Sequence, residues 1–189
     1  MVSTLCCALS VALLATPASK TDPKTWSKHG AMGVKFGMGP EDVRAVYPDL
    51  LVQAYSEHVK SARSKRFKVP FPSKSWAAES HLQGEQVKVQ FTFFKGRLSS
   101  MVVQPVSHRD LATWTNRIRI LLEDKYGAGH HTENSTTEWS VEGGMTITLV
   151  NGLFLTYADP VRNGEAVAAA DAWWKEASRA AAQTDQEKL

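Results

Sequence analysis

QVKVQFTFFKGRLSSMVVQPV, residues 86–106, carries a strand signature on both sides of a turn. In its first arm Val87, Val89, Phe91 and Phe93 fall on one side, with Lys88, Gln90 and Thr92 on the other. That two-residue period is the pattern of a strand buried on one face. Lys95-Gly96 interrupts it, and Leu98 to Val106 returns as the partner strand of a hairpin.

The flanking segments extend the pattern. Ser75–Leu82 alternates in the same manner and adds a third strand on the N-terminal side. Further upstream, Gly39-Pro40-Glu41-Asp42 opens a helix, because proline suits the first helical position and carboxylates suit the first turn. Val43, Val46, Tyr47 and Leu50 follow at helical spacing, and Pro48 limits the helix to about two turns. Downstream, Ser107-His108-Arg109-Asp110 begins a longer helix with an apolar stripe of Leu111, Trp114, Ile118, Leu121, Leu122 and Tyr126. Gly127 closes it. Residues 129–136 read as a polar loop. Three short strands follow, Thr137–Val141, Met145–Val150 and Phe154–Tyr157, the last two joined by Asn151-Gly152, a strong hairpin signal. From Asn163 to residue 183 a last helix carries Val167, Ala170, Trp174, Ala177 and Ala181 in its stripe, with Trp173 on the flank.

Runs of strands separated by helices define an α+β fold with antiparallel sheet, not a parallel βαβ sheet. The expected architecture has helices packed on one face of the sheet, and one domain over 37–183. Helix-then-meander occurs twice, over 37–106 and 107–160, before the final helix at 163–183; the order leaves open whether the halves form one sheet or two.

The N-terminus has a different character. Leu5–Ala15 is an apolar run of eleven residues, too short for a membrane-spanning helix, which needs about 20. Its length and the following Thr16-Pro17-Ala18 fit a secretory signal peptide over 1–18, although no Lys or Arg precedes it. A buried N-terminal helix is the plainer alternative. Residues 19–29 read as a polar tether, and 19–36 together as tether and entry segment ahead of the domain. Both cysteines, Cys6 and Cys7, lie inside the apolar run, so a processed chain has no disulfide and no thiolate chemistry. The expected location is therefore outside the cytoplasm, in the periplasm or at the outer envelope, with secretion as the alternative. The chain has 189 residues, 43% hydrophobic and 22% charged, with net charge +3. A chain of that length buries roughly 70% of its unfolded surface, enough to fold without a metal or disulfide.

The catalytic motifs are negative. There is no G-x-S-x-G, H-E-x-x-H, phosphate-binding loop or Cys-x-x-Cys. The glycines at 30, 33, 37 and 39 do not form a dinucleotide fingerprint, and the helix start at Gly39 reads as a tight turn more readily than as an anion site. His130-His131 lack the further ligands that a catalytic zinc requires. His108-x-Asp110 could support acid–base chemistry, but Ser107 and Asp110 more simply cap the following helix. No catalytic residue, metal site or cofactor is expected.

One stretch points to binding. Lys60, Arg63, Lys65, Arg66, Lys68 and Lys74 follow one another without an acidic residue, and Trp76 lies just beyond. Such a patch suits an envelope protein or an anionic membrane surface, and for an exported chain nucleic acid is not expected. The plainer alternative is a solvated strand edge kept from aggregating by its lysines.

GVKFGMGPEDV (33–43), followed by strands and then FFKGRLSSMVV (93–103), resembles the SmpA/OmlA family of outer-membrane assembly lipoproteins, also called BamE. The matching positions are Gly37-Met38 with Val43, and Phe93 and Phe94 with Leu98. The chain departs from that family in lacking a cysteine at the end of its apolar run and in having a second helix–strand half. The resemblance implies a scaffold that binds other envelope components without catalysis. The expected function is thus a non-enzymatic envelope interaction domain working through its sheet surface or the basic stretch; the alternative is a carrier or sensor for a small apolar ligand.

Overall fold

The computed structural model describes residues 30–52, 70–107, 110–132, 135–142 and 144–186. Their order is β1 (Gly30–Ala31), β2 (Val34–Lys35), α1 (Pro40–Val46), β3 (Leu51–Val52), β4 (Ser73–Leu82), β5 (Glu85–Phe94), β6 (Arg97–Pro105), α2 (Leu111–Tyr126), β7 (His130–Thr132), β8 (Thr136–Val141), β9 (Met145–Val150), β10 (Phe154–Ala158) and α3 (Pro160–Gln186). The fold is α+β. The signal-peptide reading of 1–18 lies outside the described residues.

Both arms of the 86–106 hairpin form as the alternation requires. Lys95 and Gly96 adopt φ of 51° and 72°, the paired left-handed geometry of a tight hairpin whose twist matches its strands. The returning strand contains a bulge. Thr92 pairs with Ser100 while Phe93 pairs with Leu98, so Ser99 is the extra residue. Its buried hydroxyl donates to the Thr92 carbonyl at 3.0 Å.

β3 to β10 form one eight-stranded antiparallel sheet in the order β3-β4-β5-β6-β10-β9-β8-β7. Each half contributes four strands in chain order, and the halves meet at their last strands. The register is palindromic. One rung runs Leu51, Ala77, Gln90, Val102 and then Thr156, Thr148, Glu138, His130. An approximate two-fold axis therefore passes between Val102 and Thr156. The neighbouring rung, Trp76, Phe91, Met101, Tyr157, Ile147 and Trp139, points to the other side. These residues join Val43 of α1 and Trp114, Ile118 and Leu122 of α2 in a single core. Both halves thus share one hydrophobic interior.

Three expectations are corrected. The entry segment, expected to precede a domain that begins at residue 37, already belongs to the domain from residue 30. β1 and β2 form a small hairpin, Val34 and Phe36 are buried, and the backbone of Gly37 and Met38 hydrogen-bonds to Leu98. The polar loop expected at 129–136 contains β7, which pairs with β8 through His130↔Glu138 and Thr132↔Thr136. All three residues of β7 are exposed, so no burial pattern marks this edge strand in the sequence.

The third correction concerns the helices, which do not all pack on one face. Ala166, Trp173 and Ala177 are the buried side chains of α3, and none belongs to the core shared by α1 and α2. They accompany the buried Ser73, Ser75, Phe94, Ser100 and Ala158, which alternate with core residues along their strands. Phe71 stacks edge-on against Trp173 at 4.9 Å, and Lys95 pairs with Glu165. α3 consequently crosses one end of the opposite face. It also starts earlier than Asn163. Pro160 occupies its first turn, and the Asp159 carboxylate accepts the backbone N–H groups of Val161 and Arg162.

Candidate functional site

The basic segment is the first candidate from the sequence. Lys60, Arg63, Lys65, Arg66 and Lys68 lie outside the described residues. Lys74 is an exposed residue of β4. Trp76, two residues on, is half-buried and engaged within the fold. Its ring meets Phe93 at 5.9 Å, and the Arg44 guanidinium lies 4.8 Å from its centroid. Trp76 thus packs against the core instead of presenting a free aromatic face.

Asp110 and the Gly39 helix start have structural roles. Asp110 caps α2, accepting the Thr113 backbone N–H at 3.1 Å. Hydrogen bonds from the Thr113 side chain and backbone, aided by the Arg117 charge, hold its carboxyl below the usual aspartate range. His108 lies outside the described residues. Gly39 N–H donates to the Asp42 carboxylate at 2.9 Å, so the α1 N-terminus is capped from within the chain. His131 Nδ1 lies 3.0 Å from the Thr137 hydroxyl. Among the described residues no group of three or more His, Cys, Asp or Glu side chains could hold a metal ion. Burial raises the pKa of the Tyr157 phenol strongly, with Tyr126 adding to the shift, and burial likewise raises Tyr47, whose hydroxyl donates to the Met32 carbonyl. These phenols are packing groups that end in hydrogen bonds or low-dielectric surroundings, and Tyr47 also hydrogen-bonds the Ser80 side chain.

What remains is the sheet face that α3 leaves uncovered. Its central rung is Ala77, Gln90, Val102, Thr156, Thr148 and Glu138, all half-buried. Beside it, Phe154 pairs with Val150, and Val150 with Thr136. Phe154 is 37% exposed, which is unusual for a phenylalanine within an eight-stranded sheet. The apolar Val102, Val150 and Phe154 thus lie near the two-fold axis. Around them are hydroxyl and amide side chains, with the Glu79–Lys88 cross-strand pair on one side and Glu138–His130 on the other.

A pocket of about 340 Å³ opens where this face reaches the β8 edge, lined by Tyr126, Ala128, His130, Glu138, Trp139 and Ser140. The segment from α2 to β7 forms one wall, tied down by Trp139 Nε1–H donating to the Gly127 carbonyl at 2.9 Å. Gly129 is required there by close approach. A Cβ on it would sit 2.5 Å from Thr137 Cγ2 and 2.6 Å from the Trp139 ring. A smaller pocket of about 130 Å³ lies at the α2 N-terminus, between Glu85, Ser107, Asp110, Trp114 and Arg117. The buried Trp114 Nε1 has no hydrogen-bond partner among the described residues.

Sequence reasoning named a sheet surface without its face or residues, and passed over the 340 Å³ pocket. A signal for the face was present in the polar positions of TEWS, TITL and FLTY, which are Thr, Glu or Ser without a lysine-rich character. No family model, curated protein or solved structure matches the chain. Its class is therefore defined by architecture alone: a pseudo-two-fold α+β protein with one large antiparallel sheet, helix-covered on one face and mostly open on the other.

Proposed function

We propose that this protein is an exported, non-catalytic interaction domain of the cell envelope that docks a protein partner on the open face of its sheet. The observation that carries this reading is the composition and extent of that face. An apolar centre of Val102, Val150 and Phe154 is surrounded by Thr, Ser and Gln side chains. Protein interfaces have this anatomy, a small apolar core inside a polar rim. Eight strands spaced about 4.8 Å apart make a surface about 34 Å across, which suits the roughly 800 Å² per partner of an ordinary complex. A sheet face is also rigid, so docking on it orders few side chains and loses little entropy. The reading agrees with the scaffold role implied by the resemblance of 33–103 to outer-membrane assembly lipoproteins.

The test is affinity capture from envelope extract with tagged residues 20–189. The variants are Val102→Glu, Phe154→Asp, and the triple change of Arg63, Lys65 and Arg66 to Glu, each verified as folded by circular dichroism. The expected result is a stoichiometric partner that is lost with Val102→Glu or Phe154→Asp. Loss with the triple variant alone would move the contact to the basic segment. Recovery of the protein alone, at low and at high salt, would overturn the docking reading.

A further inference from the structure

The pseudo-two-fold relates a covered part of the open side of the sheet to an uncovered one. Val102 and Thr156 flank the axis, so Ser100 of β6 corresponds to Phe154 of β10. Thr92, which pairs with Ser100, corresponds to Val150, which pairs with Phe154. Ser75, next across in β4, corresponds to Thr136 in β8. The first set belongs to the end that α3 crosses, and Ser75 and Ser100 are buried there. The second set has no helix over it among the described residues, yet it holds Phe154 and Val150 where the covered set holds Ser100 and Thr92. Phe154 is 37% exposed, and Val106, just past the end of β6, is 46% exposed. Apolar side chains thus meet water where their hydroxyl-bearing counterparts are sheltered, the reverse of what burial favours.

Chain topology explains the difference. After β6 the chain enters α2, whose Trp114, Ile118 and Leu122 are committed to the core on the other face. After β10 it enters α3, which lies on this face and buries Ala166, Trp173 and Ala177. A helix that followed β6 on this face would cover Phe154 and Val150 as α3 covers Ser100. There is room for one. Ser100 is level with Ala158, four residues along β10 from Phe154, a distance of about 14 Å. Packed helices need only about 8–10 Å between their axes.

We propose that the seat of Phe154, Val150 and Thr136 receives an amphipathic helix of the docked partner, an assignment that rests on the docking reading above. The chemistry of that helix follows from α3, which the equivalent seat already holds. It presents alanines, which let its backbone approach the sheet, and one aromatic anchor. An amphipathic helix laid on an apolar groove is a recurring mode of recognition. The seat is continuous with the α3–sheet contact on the same face, so the partner helix completes a layer that α3 begins. It also covers Phe154, Val150 and Val106 together, an apolar patch of the kind that marks an interface.

The probe is a synthetic peptide that copies α3, Pro160–Gln186, titrated into the full chain and followed by backbone amide resonances. It is expected to shift Thr136, Val150 and Phe154. Phe154→Asp and Val150→Lys, each with unchanged far-ultraviolet ellipticity, should weaken binding roughly thirtyfold or more, the loss typical of an interface anchor. A peptide carrying Trp173→Asp should fail likewise. A peptide carrying Ala170→Pro, which cannot stay helical, should not bind. Absence of any response, equal binding of the proline peptide, or binding indifferent to Phe154→Asp would overturn the proposal. So would a response confined to Ser75, Ser100 and Ala158, which is exchange with α3. The docking reading is separable. A captured partner that is lost with Val102→Glu but kept by Val150→Lys, with no peptide response, leaves docking standing and removes the helix seat. A peptide response through Phe154 without any captured partner refutes the docking reading and the assignment to a partner's helix.

Discussion

Tyr157 illustrates how position, not residue type, sets chemical behaviour in this chain. Its side chain lies in the shared core between Met101 and Ile147, 6% exposed. Burial disfavours the phenolate, so its folded pKa lies well above the ordinary value of 10.0, and Tyr126 adds to the shift. The sign of the linkage follows. The contribution to stability is fully present below about pH 10 and declines as pH rises above that value, because only the unfolded chain readily releases the proton. Tyr157→Phe should therefore flatten the decline of the urea midpoint above about pH 10. An unchanged slope would mean that another group governs it. The same logic separates two glutamates of the open sheet face, Glu79 and Glu138. Neither Glu79 nor Glu138 is distinguishable by local sequence, yet one accepts from Gln86 and the other has no described partner.

At the level of elements, α3 marks the clearest difference between pattern and packing. The sequence periodicity selects a stripe through Val167, Ala170, Trp174, Ala177 and Ala181, whereas the buried positions among the described side chains are Ala166, Trp173 and Ala177, so Ala177 is common to both and Trp173 replaces its neighbour Trp174. Val167 is 52% exposed. An alanine-rich helix offers several faces of nearly equal hydrophobicity, so the moment alone cannot choose among them. The choice falls to Trp173, whose ring meets Phe71 and Trp174 edge-on at 4.9 Å and 4.8 Å. Trp173→Ala is expected to cost about 3–5 kcal/mol, with accelerated amide exchange along α3. Val167→Ala should stay within about 0.5 kcal/mol. Comparable effects of the two would place the docked face where the periodicity put it. By contrast, α2 shows what a decisive stripe looks like: Trp114, Ile118 and Leu122 are each 3% exposed or less, as their spacing requires.

For the molecule as a whole, the palindromic sheet has an energetic consequence. Helix-then-meander halves could in principle be two cooperative units. Here Phe91 of the first half and Ile147 of the second are both fully buried in one core, and β6 pairs directly with β10. Phe91→Ala should destabilise the protein by about 3–5 kcal/mol and Ile147→Ala by about 2–5 kcal/mol. Both should shift a single denaturant transition in which tryptophan fluorescence and far-ultraviolet ellipticity coincide. Separate transitions, each sensitive to one variant only, would show two domains. The wide open face is a product of the same joining. Each half alone supplies four strands, and only their union brings Val102 of β6 beside Thr156 of β10.

The α+β class, the positions of α1 and α2, the 86–106 hairpin and the β8–β10 meander were all written locally. Each rests on short-range rules: a period of two or 3.6, a proline at a helix start, a glycine at a left-handed turn. Three features had no local signature. β7 is a fully exposed edge whose register is set only by its pairing with β8. The face chosen by α3 depends on Phe71, remote in sequence from Trp173. The pocket around Trp139 is assembled from the end of α2, the 127–129 segment and two strands, so its residues meet only once the second half folds. Sequence by itself therefore determined which segments are helices and strands, because those depend on neighbours within a few residues. Tertiary structure decided which faces are covered and which residues share the core, because these depend on contacts between segments that the chain brings together only on folding.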